Sequence, residues 1–435
     1  MPTPSLILVP ARFKTGKLYT PVATTSGGVV LGASGDFNVT RATTATRVNA
    51  SGLIEVVASG IPRLDYPLGG GCPALLVEPS GSNLVVQSEN WLASGWRSDA
   101  TANVTTVSAT TGTLDPYGTN TANAISPTSG NTSHLKVGSD GAITFTSGTV
   151  YTSSAFFKRG TGNAGRYIQI AWPATRFAAN TFANFDLELG TVALVTGSTV
   201  TAGIENYGNG WYRCRCTNTC ISSATGNGIS IALIETSGAT RLPTFTGTTT
   251  DVLYGWGAQT ETGSIATSYI PTTTTSGTRN ADVINLSGAV SGCIGQTEGT
   301  IYAEVDVRNF VTNGRILAIT DGISASNAIE FRINTSSRIR GLITASTNIV
   351  ADINTSTNQP IGIYKMALAY AQNDFALYIN GTPIGTDIGG QMPINLSKIN
   401  IGTSAVDLNP LNDRILAAAL YTTRLTNAEL AALTT

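Results

Sequence analysis

From Ala74 onward the sequence is cut into short apolar, β-branched and aromatic runs, each roughly four to eight residues long and separated by Gly, Asn and Ser. Ala142–Thr146, Tyr151–Phe157, Tyr167–Ala171, Trp211–Cys216, Ile229–Ile234 and Val252–Trp256 are examples. No stretch holds the 3.6-residue apolar period of an amphipathic helix over successive turns. A chain patterned this way cannot bury itself as helices. Short strands punctuated by turn residues stack instead as antiparallel sheets, in a sandwich or jelly roll.

Past Tyr269–Gly277, a linker by composition, the pattern resumes. Thr300–Val307 alternates cleanly, with Ile301, Ala303, Val305 and Val307 on one face. Arg315–Thr320, Ala328–Ile333, Arg338–Thr344 and Tyr364–Tyr370 continue the series, and Ile415–Tyr421 closes it. Asn380-Gly381 after a strand is a hairpin signal, because both residues tolerate positive φ. One helix is expected. Thr426-Asn-Ala-Glu429 is a capping box, and Leu430 and Leu433 give the residues after it a short apolar face.

The first 77 residues read differently. Pro2, Pro4, Pro10, Pro21, Pro62, Pro67 and Pro73 interrupt them, as does Gly69-Gly70-Gly71. Val29–Leu31, Phe37–Thr40 and Leu53–Val57 are strand-like but too short to make a core alone. This segment is expected to pack on something else, another subunit or the next domain. The fold expected is therefore all-β: two tandem jelly-roll-like β-sandwich domains after an irregular N-terminal anchoring segment, closed by a short helix.

Composition narrows the function. Charged residues are 12% of the 435, and Lys+Arg (25) balances Asp+Glu (26). Nucleic-acid binding needs a basic surplus to neutralise phosphates, and polybasic membrane-surface binding needs one too. There is no apolar run long enough for a transmembrane helix, and the start, Met1 to Pro10, has no basic stretch ahead of an apolar one, so no secretory leader is expected. Cys72, Cys214, Cys216, Cys220 and Cys293 are an odd set of five, which suits a reducing cytoplasm better than a disulfide framework.

No cofactor, catalytic group or metal is expected. His134 is the single histidine and lacks a nucleophile elbow such as Gly-x-Ser-x-Gly. Cys214-x-Cys216-x3-Cys220 has no second ligand pair, so it reads as core thiols rather than structural zinc. Asp186 and Glu188, two apart on a strand, share a face as a glycosidase's carboxylates could, but they read first as a solvated strand face. Glu55, Asp65 and Glu78 read as partners of Arg41, Arg47 or Arg63, whose forked guanidinium clamps carboxylates. Trp211, Tyr212, Tyr254 and Trp256 sit on strands and read as core. Trp91 and Trp96 flank a turn, and Trp172-Pro173 breaks a strand pattern. With Arg176, these three tryptophans are the candidates for ligand contact, since sugars stack on aromatic faces.

Three blocks carry a resemblance. The first is Phe37–Glu55, continued by Ile61–Tyr66, Ala74–Pro79 and Ser82-Asn83-Leu84. The second is Asn209-Gly-Trp-Tyr-Arg213. The third is Tyr254–Gln259, Ala266–Thr272 and Thr278–Asp282. In order and spacing they resemble surface proteins of tailed-bacteriophage virions: tail-fibre, tail and head-fibre-like proteins. The stretch Met366–Gly381 and the end Ala418–Leu430 look like a laminin-G or concanavalin-A-like sandwich, and the middle region is similar to carbohydrate-binding-module jelly rolls.

The resemblance implies an N-terminal anchoring or oligomerisation segment over 1–77, a module-like sandwich over 78–278 and a laminin-G-like one over 279–435. It implies a non-enzymatic virion component, made in the host bacterial cytoplasm and displayed on the virion surface. Its partners would be other virion proteins through the N-terminal segment, sister copies, in a trimer by analogy, and a host cell-surface glycan met during adsorption. A ligand-free capsid-stabilising decoration is one alternative. A glycan-degrading depolymerase is another, though no long parallel β-helix repeat is visible.

Overall fold

The computed structural model describes residues 2–20, 22–23, 36–97, 104–108, 112–139, 141–287, 291–310, 313–334, 336–404 and 410–435. The run Val29–Leu31 lies outside them. The protein is nearly all β with a short C-terminal helix. It divides into two compact units: Met1–Ala50, Val56–Ser80 and Asn280–Thr435 form one, and Ser51–Glu55 with Gly81–Arg279 form the other. Among the described residues no helix is long and apolar enough to cross a membrane.

The first unit packs two nine-stranded sheets over one core. One sheet runs Thr382–Asp387, Asp374–Ile379, Gly362–Ala371, Glu298–Val307 and Asp413–Tyr421. Two N-terminal segments then share the far edge of Asp413–Tyr421. Leu6–Leu8 lies opposite Ala418–Leu420, and Ala74–Val77 lies opposite Asp413–Ile415. The second sheet runs Phe13–Lys14, Lys17–Leu18, Phe37–Thr40, Val283–Ser287, Lys398–Ile401, Arg315–Thr320, Ala328–Ile333, Ile339–Ala345 and Asn348–Asn354.

The strand Glu298–Val307 behaves as its alternation requires. Ile301, Ala303, Val305 and Val307 are all fully buried between the sheets, and burying each of the three larger ones, Ile301, Val305 and Val307, stabilises by about 1.5–3 kcal/mol. Tyr302 faces the other way, onto a smaller cluster with Ala367, Ala369, Ala376 and Ala419. These small side chains leave room for the helix Asn427–Thr434, which seats Leu430 there. Its capping box is closed in both directions between Thr426 and Glu429. Asn380 (φ 47°) and Gly381 (φ 75°) make the hairpin turn, with Ile379 opposite Thr382.

The expectation of a separate anchoring segment over 1–77 is corrected. Leu6, Leu8, Leu18, Phe37, Val39, Leu64, Leu75 and Val77 belong to the same core as residues from 280 onward. The physical reason is edge completion. Strands of two to four residues make no independently stable sheet, but Leu6–Leu8, Phe37–Thr40 and Ala74–Val77 each pair onto a strand of the C-terminal half.

The second unit is a sandwich of six strands on five. The larger sheet runs Val104–Ser108, Asn123–Pro127, Val252–Thr262, Val150–Thr161, Trp211–Thr219 and Thr201–Asn206. The smaller runs Leu135–Gly138, Ile229–Ile234, Tyr167–Ala171, Phe182–Asp186 and Thr191–Thr196. Ala155 and Phe157 point into the inter-sheet core, while Phe156 joins Trp211, Trp256 and Tyr269 in an aromatic layer on the outer face. Burying both faces explains the near-continuous apolar run Ala155-Phe-Phe157.

Candidate functional site

The tryptophans expected at a ligand surface are interior. Trp91 is 0% exposed, Trp96 4% and Trp172 1%. Trp91 stacks on Trp96 with ring centroids 4.7 Å apart, and their indoles donate to Ser88 O and Gln87 O. The Trp172 indole donates to Cys216 Sγ at 3.2 Å. Turn-flanking aromatics here fold back to plug the sandwich, so no ring face is left for a sugar. Arg176 donates through Nε to Thr225 O at 2.6 Å and is committed to holding a loop. Trp211 and Trp256 are buried, as core readings require.

The other chemical candidates resolve as structure. His134 is fully buried, its Nε2 3.1 Å from Phe245 O. Cys214, Cys216 and Cys220 are buried free thiols, and burial pushes the Cys216 thiol up to about 12. Among the described residues no group of three or more His, Cys, Asp or Glu could hold a metal ion.

Asp186 takes a bidentate grip from Arg166 (3.0 and 2.6 Å) and also accepts from the backbone N–H of Glu188 and Leu189. Burial opposes its charge, but Arg166 and those N–H groups outweigh it and hold the carboxyl below the usual range. Glu188 Oε2 lies 2.6 Å from the same guanidinium. A glycosidase needs one carboxyl kept protonated as general acid. Here Asp186 is held ionised and serves the turn.

Asp282, isolated in the sequence, is the hub of a buried cluster. It accepts from Arg41 at 2.9 Å, from Arg63, and from the N–H of Glu78 at 3.1 Å. Glu78 pairs with Arg63 as expected. Asp65 pairs instead with Arg414 at 2.6 Å. Burial works against the Arg63 charge, yet Asp282 and Glu78 raise its pKa. With every member buried, this cluster holds the fold rather than a ligand.

A different surface lines up arginines across neighbouring strands. In Ala328–Ile333 the residues Ile329, Phe331 and Ile333 are fully buried, so alternation turns Glu330 and Arg332 to the outer face. Arg332 lies directly opposite Arg315 on one neighbouring strand and Arg340 on the other. Three arginines thus form a row across adjacent strands, continued by Asn354.

Arg340 is bound to Asp352 through two bonds, 2.6 and 2.5 Å, and Asn354 Nδ2 also donates to Asp352. Arg315 donates to Asn313 O. Glu330, 2% exposed, sits 3.5 Å from Arg315 and 3.7 Å from Arg332, and its Oε1 accepts no hydrogen bond. Arg332 Nε likewise has no partner, and its side chain is 15% exposed. Sequence reasoning passed over these residues. The alternation in Ala328-Ile-Glu-Phe-Arg-Ile333 signals which side chains face outward, but only the strand register reveals the row.

No family model matches the sequence, and no curated protein matches it. Solved structures with partial likeness include the Ruminococcus gnavus IT-sialidase CBM40, at 14% identity over 33% of this chain and 84% of that one, TM-score 0.29. Another is domain 4 of AbnA, a GH43 extracellular arabinanase from Geobacillus stearothermophilus, in complex with arabinotriose, at 15% identity over 36% and 73%, TM-score 0.30. A third is the heptameric SAP-like pentraxin of Limulus polyphemus, at 10% identity over 32% and 70%, TM-score 0.25. Each likeness spans about a third of this chain, and none decides what it binds.

Proposed function

We propose that this protein is a non-enzymatic component of a tailed-bacteriophage virion surface that binds a host-surface glycan through the outer face around Glu330 and Arg332. The observation that carries the binding reading is the row of three arginines across adjacent strands of that face, Arg315, Arg332 and Arg340, set against two carboxylates, Glu330 and Asp352. Guanidinium N–H groups donate to sugar hydroxyls. The sheet holds these groups rigid, which lowers the ordering cost of binding. The three sequence blocks support the virion reading.

A single shallow site binds weakly, so adsorption would depend on many copies, in a trimer or a repeated array, acting together. The non-enzymatic reading is supported by Asp186, which is buried with both carboxylate oxygens taken by Arg166.

The test is binding of the purified full chain to capsular and lipopolysaccharide glycans of candidate hosts, by biolayer interferometry. Arg332→Ala is expected to weaken binding by roughly 10- to 100-fold, the worth of a charged hydrogen bond. No binding to any host glycan would remove this reading and favour a ligand-free decoration. Shortened glycan products that vanish with Asp186→Ala would establish a depolymerase instead.

A further inference from the structure

We propose that two copies of this chain pair edge to edge through the strand Thr191–Thr196, which ends the five-stranded sheet of the second unit. This goes beyond the glycan reading and does not rest on it.

Open sheet edges are the starting point. A strand that ends a sheet turns alternate backbone N–H and C=O groups away from its single partner, where another strand can take them. Among the described residues, four strands of six residues or more end a sheet: Thr382–Asp387, Asn348–Asn354, Thr201–Asn206 and Thr191–Thr196. Charge and proline guard such edges against pairing. Pro383 and Asp387 stand in the first, Asp352 in the second and Glu205 in the third. Thr191-Val-Ala-Leu-Val-Thr196 has neither charge nor proline, and four of its six residues are β-branched, the type that favours strands. Its exposure alternates. Val192 packs against the core of the unit, while Thr191, Ala193 and Val195 are exposed, Val195 by 40%. The strand pairs on one side only, with Phe182–Asp186.

The same chemistry selects the partner. A two-fold axis normal to the sheet lays an edge strand antiparallel to its own copy. Each guarded edge would then carry a carboxylate toward the same carboxylate of the other copy, and like charges across strands repel. Thr191–Thr196 meets itself with no charge at any position, so that aliphatic and threonine side chains face one another, pairs that stabilise a sheet. Gly190 (φ 64°) and Gly197 (φ 112°) break the extended backbone at both ends, which confines the contact to these six residues. Ala193 is the extra residue of a bulge: Val192 lies opposite Phe185 and Leu194 opposite Asn184. A bulge deepens local twist, and a strongly twisted edge suits one local pair of strands better than a growing flat stack. The two-fold contact uses up this edge on both copies, so the assembly closes at two.

The experiment is sedimentation velocity on the full chain from about 1 to 300 μM, the range in which an interface this small associates. The apparent mass is expected to rise with concentration from 45.0 kDa toward twice that value. Val195→Lys puts a guarding charge on the exposed side of the strand and should hold the chain at the monomer mass. Asn348→Lys, on another open edge, should leave the dimer as in the wild type. Hydrogen exchange at the amides of Thr191–Thr196 should slow as wild-type concentration rises, which keeps the test decisive should Val195→Lys fail to fold.

A monomer mass across the whole range would overturn the inference. So would a dimer that persists unchanged in folded Val195→Lys, or one that leaves exchange at Thr191–Thr196 indifferent to concentration, since either places the contact elsewhere. Glycan binding is read separately, by interferometry, and stands or falls on its own result.

Discussion

Leu8 tests whether the N-terminal residues complete their core within their own chain. It is fully buried, in the strand Leu6–Leu8 opposite Ala418. Leu8→Ala removes side-chain volume from a close-packed interior, at a cost of about 3 kcal/mol. For a unit of this size that lowers the melting midpoint by roughly 6–12 °C. Deleting residues 1–77 removes eight such core side chains, from Leu6 to Val77. At about 1.5–3 kcal/mol each the loss is roughly 12–24 kcal/mol, at or beyond the 5–15 kcal/mol by which domains are stable at all. The assay is differential scanning calorimetry, with Leu189→Ala, at a side chain 67% exposed, as the control expected to shift little. If Leu8→Ala melted with the wild type, or residues 280–435 alone gave a cooperative transition, the strand pairing described above would be wrong. The N-terminal segment would then be free to anchor elsewhere.

Three further outcomes follow from buried polar groups and thiols. Burial holds the Glu261 carboxyl above its usual range, against donors from Gln259 and Thr267. The native state therefore keeps its proton longer than the unfolded chain, and Glu261 favours folding most below about pH 4.3 and progressively less as pH rises through its folded value. Glu261→Gln should remove that slope, read as urea midpoints across pH, and equal or exceed wild-type stability at neutral pH. Arg63→Met leaves Glu78 without its guanidinium and should cost about 3–5 kcal/mol, measured by denaturant titration. A thiol reagent should label Cys72 alone in the native protein, since it is exposed and the other four cysteines are buried, and all five after unfolding.

Periodicity made the strands legible because it is a local property. The alternation of Thr300–Val307, the Asn380-Gly381 turn and the Thr426 capping box each depend on a few consecutive residues, and each forms as the sequence implies. What alternation cannot carry is partnership. Leu6 pairs with Leu420, and nothing near either residue encodes the other. The same limit governed the site. Trp91, Trp96 and Trp172 stand beside turn residues, where solvent exposure is the ordinary expectation, yet their indoles are drawn inward to buried acceptors. Arg315, Arg332 and Arg340 lie on three separate strands and become a row only once the register is set.

The long separation between pairing partners has a physical consequence at one place. Between Ser80 and Asn280 the chain leaves the first unit and returns to it. Closing so long a loop costs entropy that grows only slowly with its length, but it must still be offset where the ends meet. Glu78 and Asp282 are joined there by backbone and side-chain bonds, the Asp282 N–H to Glu78 O at 3.0 Å and the Glu78 N–H to the Asp282 carboxylate at 3.1 Å. Arg63 bridges both carboxylates, and Arg41 reaches Asp282 from a third segment. Within the inserted stretch Gly81–Asn83 and Gly277–Arg279 then pair directly. A buried ion cluster is an expensive way to gain stability alone, because each charge must be desolvated. It is well suited to fixing which segments meet, since any other pairing would leave a buried charge uncompensated. The charged residues of the first sequence block and of Thr278–Asp282 thus act as a register lock at the point where a strand would otherwise have many apolar edges to choose from.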